Sequence, residues 1–121
     1  MAEQIHNFEI SVVVPVYNGE ATITQTVECL LNQNLTPREI IVIDDGSTDR
    51  TAGVLKPFAN QILYTFKENG GPASARNLGV KLASGDFVAF TDSDCLPDRD
   101  WLQRLVAGFD YAKIAGVGGA I

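Results

Sequence analysis

The sequence predicts an α/β fold, a mostly parallel sheet flanked by helices. Three observations predict it. Strand-like and helix-like runs alternate in the order β-α-β-α-β-α-β-α, the pattern of crossover-linked parallel strands. The strand-like runs are nearly continuous in apolar residues, as strands buried on both faces should be. Polar or acidic clusters follow the strand ends, where open parallel sheets bind ligands.

The elements follow in order. Ile10 to Val16 is β-branched and nearly unbroken, a first buried strand. Glu20 to Asn32 places Ile23, Val27, Leu30 and Leu31 at helical spacing. Glu39 to Ile43 is a second buried strand, and Thr48 to Phe58 a short helix with Val54, Leu55 and Phe58 inward and Pro57 fraying its end. Ile62 to Phe66 alternates partially and reads as a third strand. Pro72 to Ala83 is a helix of small residues; proline is favoured in a first helical turn, and Ala73, Ser74 and Ala75 would let it lie close to a sheet. Asp86 to Thr91 is the fourth strand. Pro97 to Phe109 is a final helix, with Asp98 and Asp100 in a dipole-favoured first turn, Trp101, Leu105 and Phe109 on one face, and Leu102 and Val106 broadening it.

A chain of 121 residues is one domain's worth, and 45% hydrophobic content is enough to fold. A net charge of -6 argues against a phosphate-backbone binder, so nucleic acid is not an expected partner. It does not exclude a nucleotide, because a divalent cation reverses the local sign. Two cysteines make no disulfide framework, and a reducing, cytoplasmic setting is expected. Cys29 falls in an apolar helical pattern and reads as a small core residue. Cys95 has no histidine neighbour and is assigned no nucleophilic role. His6, in a polar leader spanning residues 1–9, is given no role either. No signal pattern opens the chain, and no apolar run approaches the ~20 residues that span a bilayer.

Chemistry concentrates at the strand ends. Asp92-Ser93-Asp94 follows a buried strand; in an extended segment both carboxylates face one spot and suit a hard divalent cation bridging phosphates. The structural alternative is a helix cap or Asx turn. In Asp44-Asp45-Gly46-Ser47, Ser47 or Asp45 could cap the next helix, while a free carboxylate could accept a base N–H or a ribose hydroxyl. Tyr17, in Pro15-Val16-Tyr17-Asn18, offers a flat face for stacking or simply fills a turn. Glu68-Asn69-Gly70-Gly71 opens a helix whose N-terminus attracts anions, and Arg76 one turn in could meet a phosphate or pair with an acid. The segment lacks the P-loop pattern.

Taken together, "SVVVPVYNGEATI", "IIVIDDGSTDRT" and "ENGGPASARNLGVKLASGDFVAFTDSDCLPDRDWL" resemble the nucleotide-binding half of family 2 glycosyltransferases, from about Ile10 onward. The resemblance implies a Rossmann-like GT-A fold and an inverting sugar transfer from a nucleotide-diphospho-sugar, a UDP-sugar first, with Mg²⁺ or Mn²⁺ and an unknown acceptor. It also suggests cell wall or polysaccharide biosynthesis. Carried over by position, Pro15 and Tyr17 would line the nucleotide pocket and Asp45 would contact the base beside Asp44. Asp92 would lie near ribose and diphosphate, Asp94 would bind the metal with Asp92, and Arg76 would serve the phosphates or the acidic cluster.

The sequence departs from the family pattern in one respect. The downstream catalytic carboxylate is absent, and residues 116–121 resemble the strand that opens the acceptor-binding half. The reading is therefore a donor-binding portion, residues 10–121, of a truncated GT-A domain, its general base expected beyond Ile121. It would be weakly active or inactive alone. Its parent protein could be associated with a membrane, and its cut sheet edge would favour self-association. The rivals are a non-catalytic nucleotide-sugar-binding module and a receiver-like signalling domain. The latter needs acids after the first strand, where Pro15-Val16-Tyr17 stand.

Overall fold

The computed structural model describes residues 8–108. Within them a four-stranded sheet runs β1 (Ile10–Val16), β2 (Glu39–Asp44), β3 (Leu63–Phe66) and β4 (Phe87–Phe90), in spatial order β3-β2-β1-β4. Every pairing is parallel. The helices are α1 (Ile23–Leu31), α2 (Thr51–Val54), α3 (Pro72–Leu82) and α4 (Trp101–Ala107), with a 3₁₀ turn at Lys56–Phe58. None of the described helices is long and apolar enough to cross a membrane.

The side-chain alternation of the central strands sorts the core into two layers. Ile10, Val12, Val14 and Val16 join Ile40 and Val42 on one face, packed with Ile23, Val27 and Leu30 of α1 and Leu102 of α4. Val13, Ile41 and Ile43 point the other way, onto Ala75 and Leu78 of α3. Both faces are dry, which is why β1 and β2 read as continuous apolar runs. Of the small residues expected to bring α3 close to the sheet, Ala75 is buried against it while Ala73 is exposed; the closest approach is at Gly79, where a Cβ would come within 2.4 Å of Val13 Cγ1. The edge strand β3 leaves Leu63 and Phe66 exposed.

Three helix boundaries differ from expectation. The first helix begins at Ile23 rather than Glu20, because the amides of Thr22 and Ile23 turn back on Gly19 O and the preceding residues bond to a neighbouring loop. The expected helix over 48–58 divides into α2 and the 3₁₀ turn, with Pro57 inside the latter. The last helix starts at Trp101, not Pro97: Gln33 accepts a bond from the Leu102 amide and donates to Asp98 O, holding residues 98–100 in a non-helical approach. Asp98 therefore precedes the helix, and Asp100 stands at its cap without a side-chain capping bond. Cys29, expected in the core, is only half-buried. Phe109, His6 and the strand suggested at residues 116–121 lie outside the described residues.

Candidate functional site

The order β3-β2-β1-β4 puts a switch point between β1 and β4, where successive connections depart in opposite directions. A crevice forms beyond the carboxyl ends of strands at such a point. Here it is a cleft of about 720 Å³, lined by Pro15 to Gly19 at the end of β1 and beyond, Asp45 after β2, Asn69, then Gly71, Pro72, Ala75 and Arg76 at the start of α3, and Asp92 to Asp94 after β4. The structure thus brings Pro15, Tyr17, Asp45, Arg76, Asp92 and Asp94 to one cavity. It does not bring Asp44 there.

The adjacent acids of β2 part company because neighbours on a strand face opposite sides of the sheet. Asp44 turns onto the α1 face. It is 1% exposed, accepts the Tyr64 hydroxyl on one oxygen, and accepts the Ser47 amide at 2.8 Å on the other. Burial and the Asp44 carboxylate hold the Tyr64 phenol well above its usual range. Asp45 turns onto the α3 face. Its carboxylate accepts the Gly70 and Gly71 amides at 2.9 Å each, Lys67 Nζ at 3.0 Å and, more weakly, Asn69 Nδ2 at 3.4 Å. Burial acts to raise its pKa, but the Gly70 amide, Lys67 and the Gly71 amide prevail and hold the carboxyl below the usual range. The anion-attracting turn before α3 is thus filled by the protein's own carboxylate. Gly46, at φ 83°, lets β2 turn toward that loop, where a Cβ would come within 2.8 Å of the Asn69 amide.

Asp49 is also committed. It accepts the Glu20 amide at 3.1 Å and the Thr51 amide at 2.9 Å, while Glu20 Oε1 accepts the Arg50 amide at 3.1 Å. Asn18, in the left-handed region at φ 52°, donates its amide to Ser47 Oγ and accepts the Thr48 amide, both at 2.8 Å. These reciprocal bonds fasten the loop after β1 to the loop after β2.

Asp92 and Asp94 differ. Among the described residues neither carboxylate accepts a protein hydrogen bond or joins an ion pair, and both are exposed. The extended segment expected to carry them is not there, because β4 ends at Phe90. Instead the Cys95 amide donates to Asp92 O at 3.2 Å and folds residues 92–95 into a turn. One ligand atom from each of Asp92, Asp94 and Cys95 lies within 4.8 Å of the others, so the turn achieves the convergence that strand alternation was expected to give. Two carboxylate oxygens free of donors fit a hard divalent cation that completes its shell with phosphate and water. Arg76 lines the same cleft and forms no ion pair among the described residues.

Two buried polar residues, one beneath the acidic turn and one anchoring the chain beyond it, carried no signal in the motif reading. Thr26 Oγ1 lies 2.9 Å from Ser93 O and 2.7 Å from Cys95 O, and Gln33 clamps Asp98 and Leu102. Thr26 lies on the buried stripe Ile23, Thr26, Leu30 of α1, and Gln33 continues that spacing just past the helix end, so a polar residue in an otherwise apolar pattern was the available clue.

Known proteins resemble this chain in sequence and fold. A family model described as glycosyl transferase family 2 matches residues 11–121. The minor teichoic acid biosynthesis protein GgaB of Bacillus subtilis is 35% identical over 119 residues, covering 93% of this chain and 13% of its own length. Glycosyltransferase GlyA of Streptococcus pneumoniae is 38% identical over 109 residues, 88% of this chain and 15% of its own. Among solved structures, S. aureus TarS in complex with UDP-GlcNAc aligns with a TM-score of 0.71 at 36% identity, over 82% of this chain and 30% of that one. The mannosyltransferase PcManGT of Pyrobaculum calidifontis, in complex with GDP-Man and Mn²⁺, aligns with a TM-score of 0.67 at 31% identity, over 80% and 31%. The chain therefore spans less than a third of each of these proteins.

Proposed function

This chain belongs to glycosyl transferase family 2, and we propose that it is the donor-binding portion of an inverting transferase that uses a nucleotide-diphospho-sugar, a UDP-sugar first. The observation that carries the proposal is the division among the acids. Asp44, Asp45 and Asp49 are consumed by internal donors, whereas Asp92 and Asp94 stand without donors in a cleft that also presents Arg76. The cleft's volume of about 720 Å³ falls within the roughly 300–1,000 Å³ typical of small-molecule sites.

In this reading Pro15 and Tyr17 wall the nucleotide end, with Tyr17, 53% exposed, free to lie against a base. Asp45 borders the base chiefly by fixing Asn69 to Gly71, since its own oxygens are filled; Asp44 supports that wall from outside the cleft. Asp94 and Asp92 would hold Mg²⁺ or Mn²⁺, which when bound supplies charge neutralisation to a departing diphosphate. Arg76 would contribute a fixed positive charge to the same phosphates. The acceptor's proton needs a base, and the cleft's described carboxylates are all assigned elsewhere; transfer by this chain alone should be weak or absent.

The test is thermal stability with UDP, GDP or ADP, each with and without Mn²⁺. Binding to the folded state stabilises it by about 2.7 kcal/mol at a hundredfold excess over Kd. UDP with Mn²⁺ should raise Tm, and Asp94→Ala should remove the metal-dependent part. Indifference to every nucleotide would refute the proposal, and robust sugar transfer would show that the base has been misplaced.

A further inference from the structure

The turn that carries Asp92 and Asp94 is gripped from beneath by helix α1, and the grip is one hydroxyl. Thr26 is fully buried, so its hydroxyl hydrogen must find an acceptor within the protein. The ordinary partner of a mid-helix threonine is the carbonyl four residues back. Here that partner, Thr22 O, is 3.4 Å away, while Cys95 O is at 2.7 Å and Ser93 O at 2.9 Å. The hydroxyl is thus turned from its own helix toward a loop 67 to 69 residues along the chain. The Cys95 amide is meanwhile bonded to Asp92 O, so the turn is closed within itself and anchored below by the one hydroxyl hydrogen, shared between the carbonyls of 93 and 95. These bonds fix its roll about its own axis. Asp92 and Asp94 have no donors of their own to orient them, so the roll of the turn is what aims their carboxylates.

We infer that Thr26 is a positioning residue for the cation site: its hydroxyl, by pinning the carbonyls of Ser93 and Cys95 to α1, sets the mutual geometry of the Asp92 and Asp94 carboxylates. The inference rests on the proposed metal role of those two acids. Removing a group that orients metal ligands typically weakens metal affinity ten- to a hundredfold. Gln33, seven residues further on, anchors the chain again at Asp98 and Leu102, beyond the acidic turn. It supplies a control for general loss of stability.

The experiment measures Mn²⁺ binding to the 121-residue chain by the electron paramagnetic resonance of free Mn²⁺, alone and with saturating UDP, beside hydrogen exchange at the Cys95 amide. Thr26→Val keeps the shape and loses the hydroxyl; Thr26→Ser keeps the hydroxyl. The expected result is about tenfold weaker Mn²⁺ binding and faster Cys95 exchange in Thr26→Val, with Thr26→Ser within about threefold of wild type. Gln33→Ala should lower Tm with Mn²⁺ affinity nearly unchanged. Equal Mn²⁺ affinity in wild type and Thr26→Val overturns the inference alone, as does equal weakening in Gln33→Ala. A wild-type chain that binds no Mn²⁺, with or without UDP, overturns the metal role of the acids and the inference with it.

Discussion

Replacing Asp45 by alanine should cost about 3 kcal/mol of stability, and replacing Asp92 by alanine almost nothing. The two acids line the same cleft, yet they are held differently. Loss of the Asp45 carboxylate strands the Gly70 and Gly71 amides, each at 2.9 Å. A buried backbone donor left unsatisfied costs roughly 1–3 kcal/mol; Gly70 is exposed and Gly71 half-buried, so water reaches both freed amides and keeps the pair near the lower end, about 2 in total. Lys67 also loses its partner at 3.0 Å, but its side chain is 18% exposed and still donates to Glu68 O, so about 1 kcal/mol is added. Asp92, exposed and without a donor, belongs with surface substitutions, which usually change stability by less than about 0.5 kcal/mol. Urea unfolding with unchanged m-value gives both numbers. An Asp45→Ala variant within about 0.5 kcal/mol of wild type would refute the claim that this carboxylate is a structural plug. The pH dependence follows from the same bonds. A carboxyl whose folded pKa is depressed contributes stability that is full above its unfolded value, about 3.9, and is lost as pH falls through the lower folded value. The gap between wild type and Asp45→Asn should therefore be constant near neutrality and close below about pH 4.

The other outcomes concern single side chains. Arg76→Ala should weaken UDP binding roughly ten- to a hundredfold, the loss of one charge-assisted contact, and leave uridine binding unchanged, as isothermal titration with both ligands would show. Tyr64→Phe removes the donor to buried Asp44 and should destabilise by about 1–3 kcal/mol in the same urea assay, without altering UDP affinity at saturating Mn²⁺.

The sheet was legible because its strands are buried on two faces. Ile10–Val16 has no alternation to misread, and the observed strand has those same limits. Each of the other three strands differs by one residue at one or both ends. The start of α3 at Pro72 was legible from its glycine and proline, but the other three helix starts were not, because tertiary bonds decide them: the side chain of Gln33 determines that residues 98–100 do not join α4, and no local pattern records that. The candidate site was legible as a set of positions, since strand ends gather wherever a parallel sheet stops. Its division of labour was not. Asp44 and Asp45 are adjacent letters, and only the pleat, with Tyr64 on one side and Gly70–Gly71 on the other, reveals that neither carboxylate is free.

Two neighbouring carboxylates with no donor appear costly in a sequence, and the structure shows why the cost is tolerable. Their ligand oxygens lie within 4.8 Å of each other, which in water corresponds to a repulsion of about 1 kcal/mol and at the permittivity of a protein surface to roughly three or four times that. Both residues are exposed, so solvent and salt hold the figure toward the lower end. Folding can bear that without a ligand, whereas the buried Asp45 could not do without its donors. Neutralising one partner should accordingly do no harm to the free chain: Asp94→Asn should match or exceed wild-type stability by up to about 1 kcal/mol at low salt, with the difference shrinking as salt is added. With Mn²⁺ and UDP present the order should invert, because only wild type gains the metal-dependent part of binding. An Asp94→Asn chain that is less stable than wild type in the absence of any ligand would mean that this carboxylate holds the fold together, and the division between structural and chemical acids would fail at the residue on which the proposed function most depends.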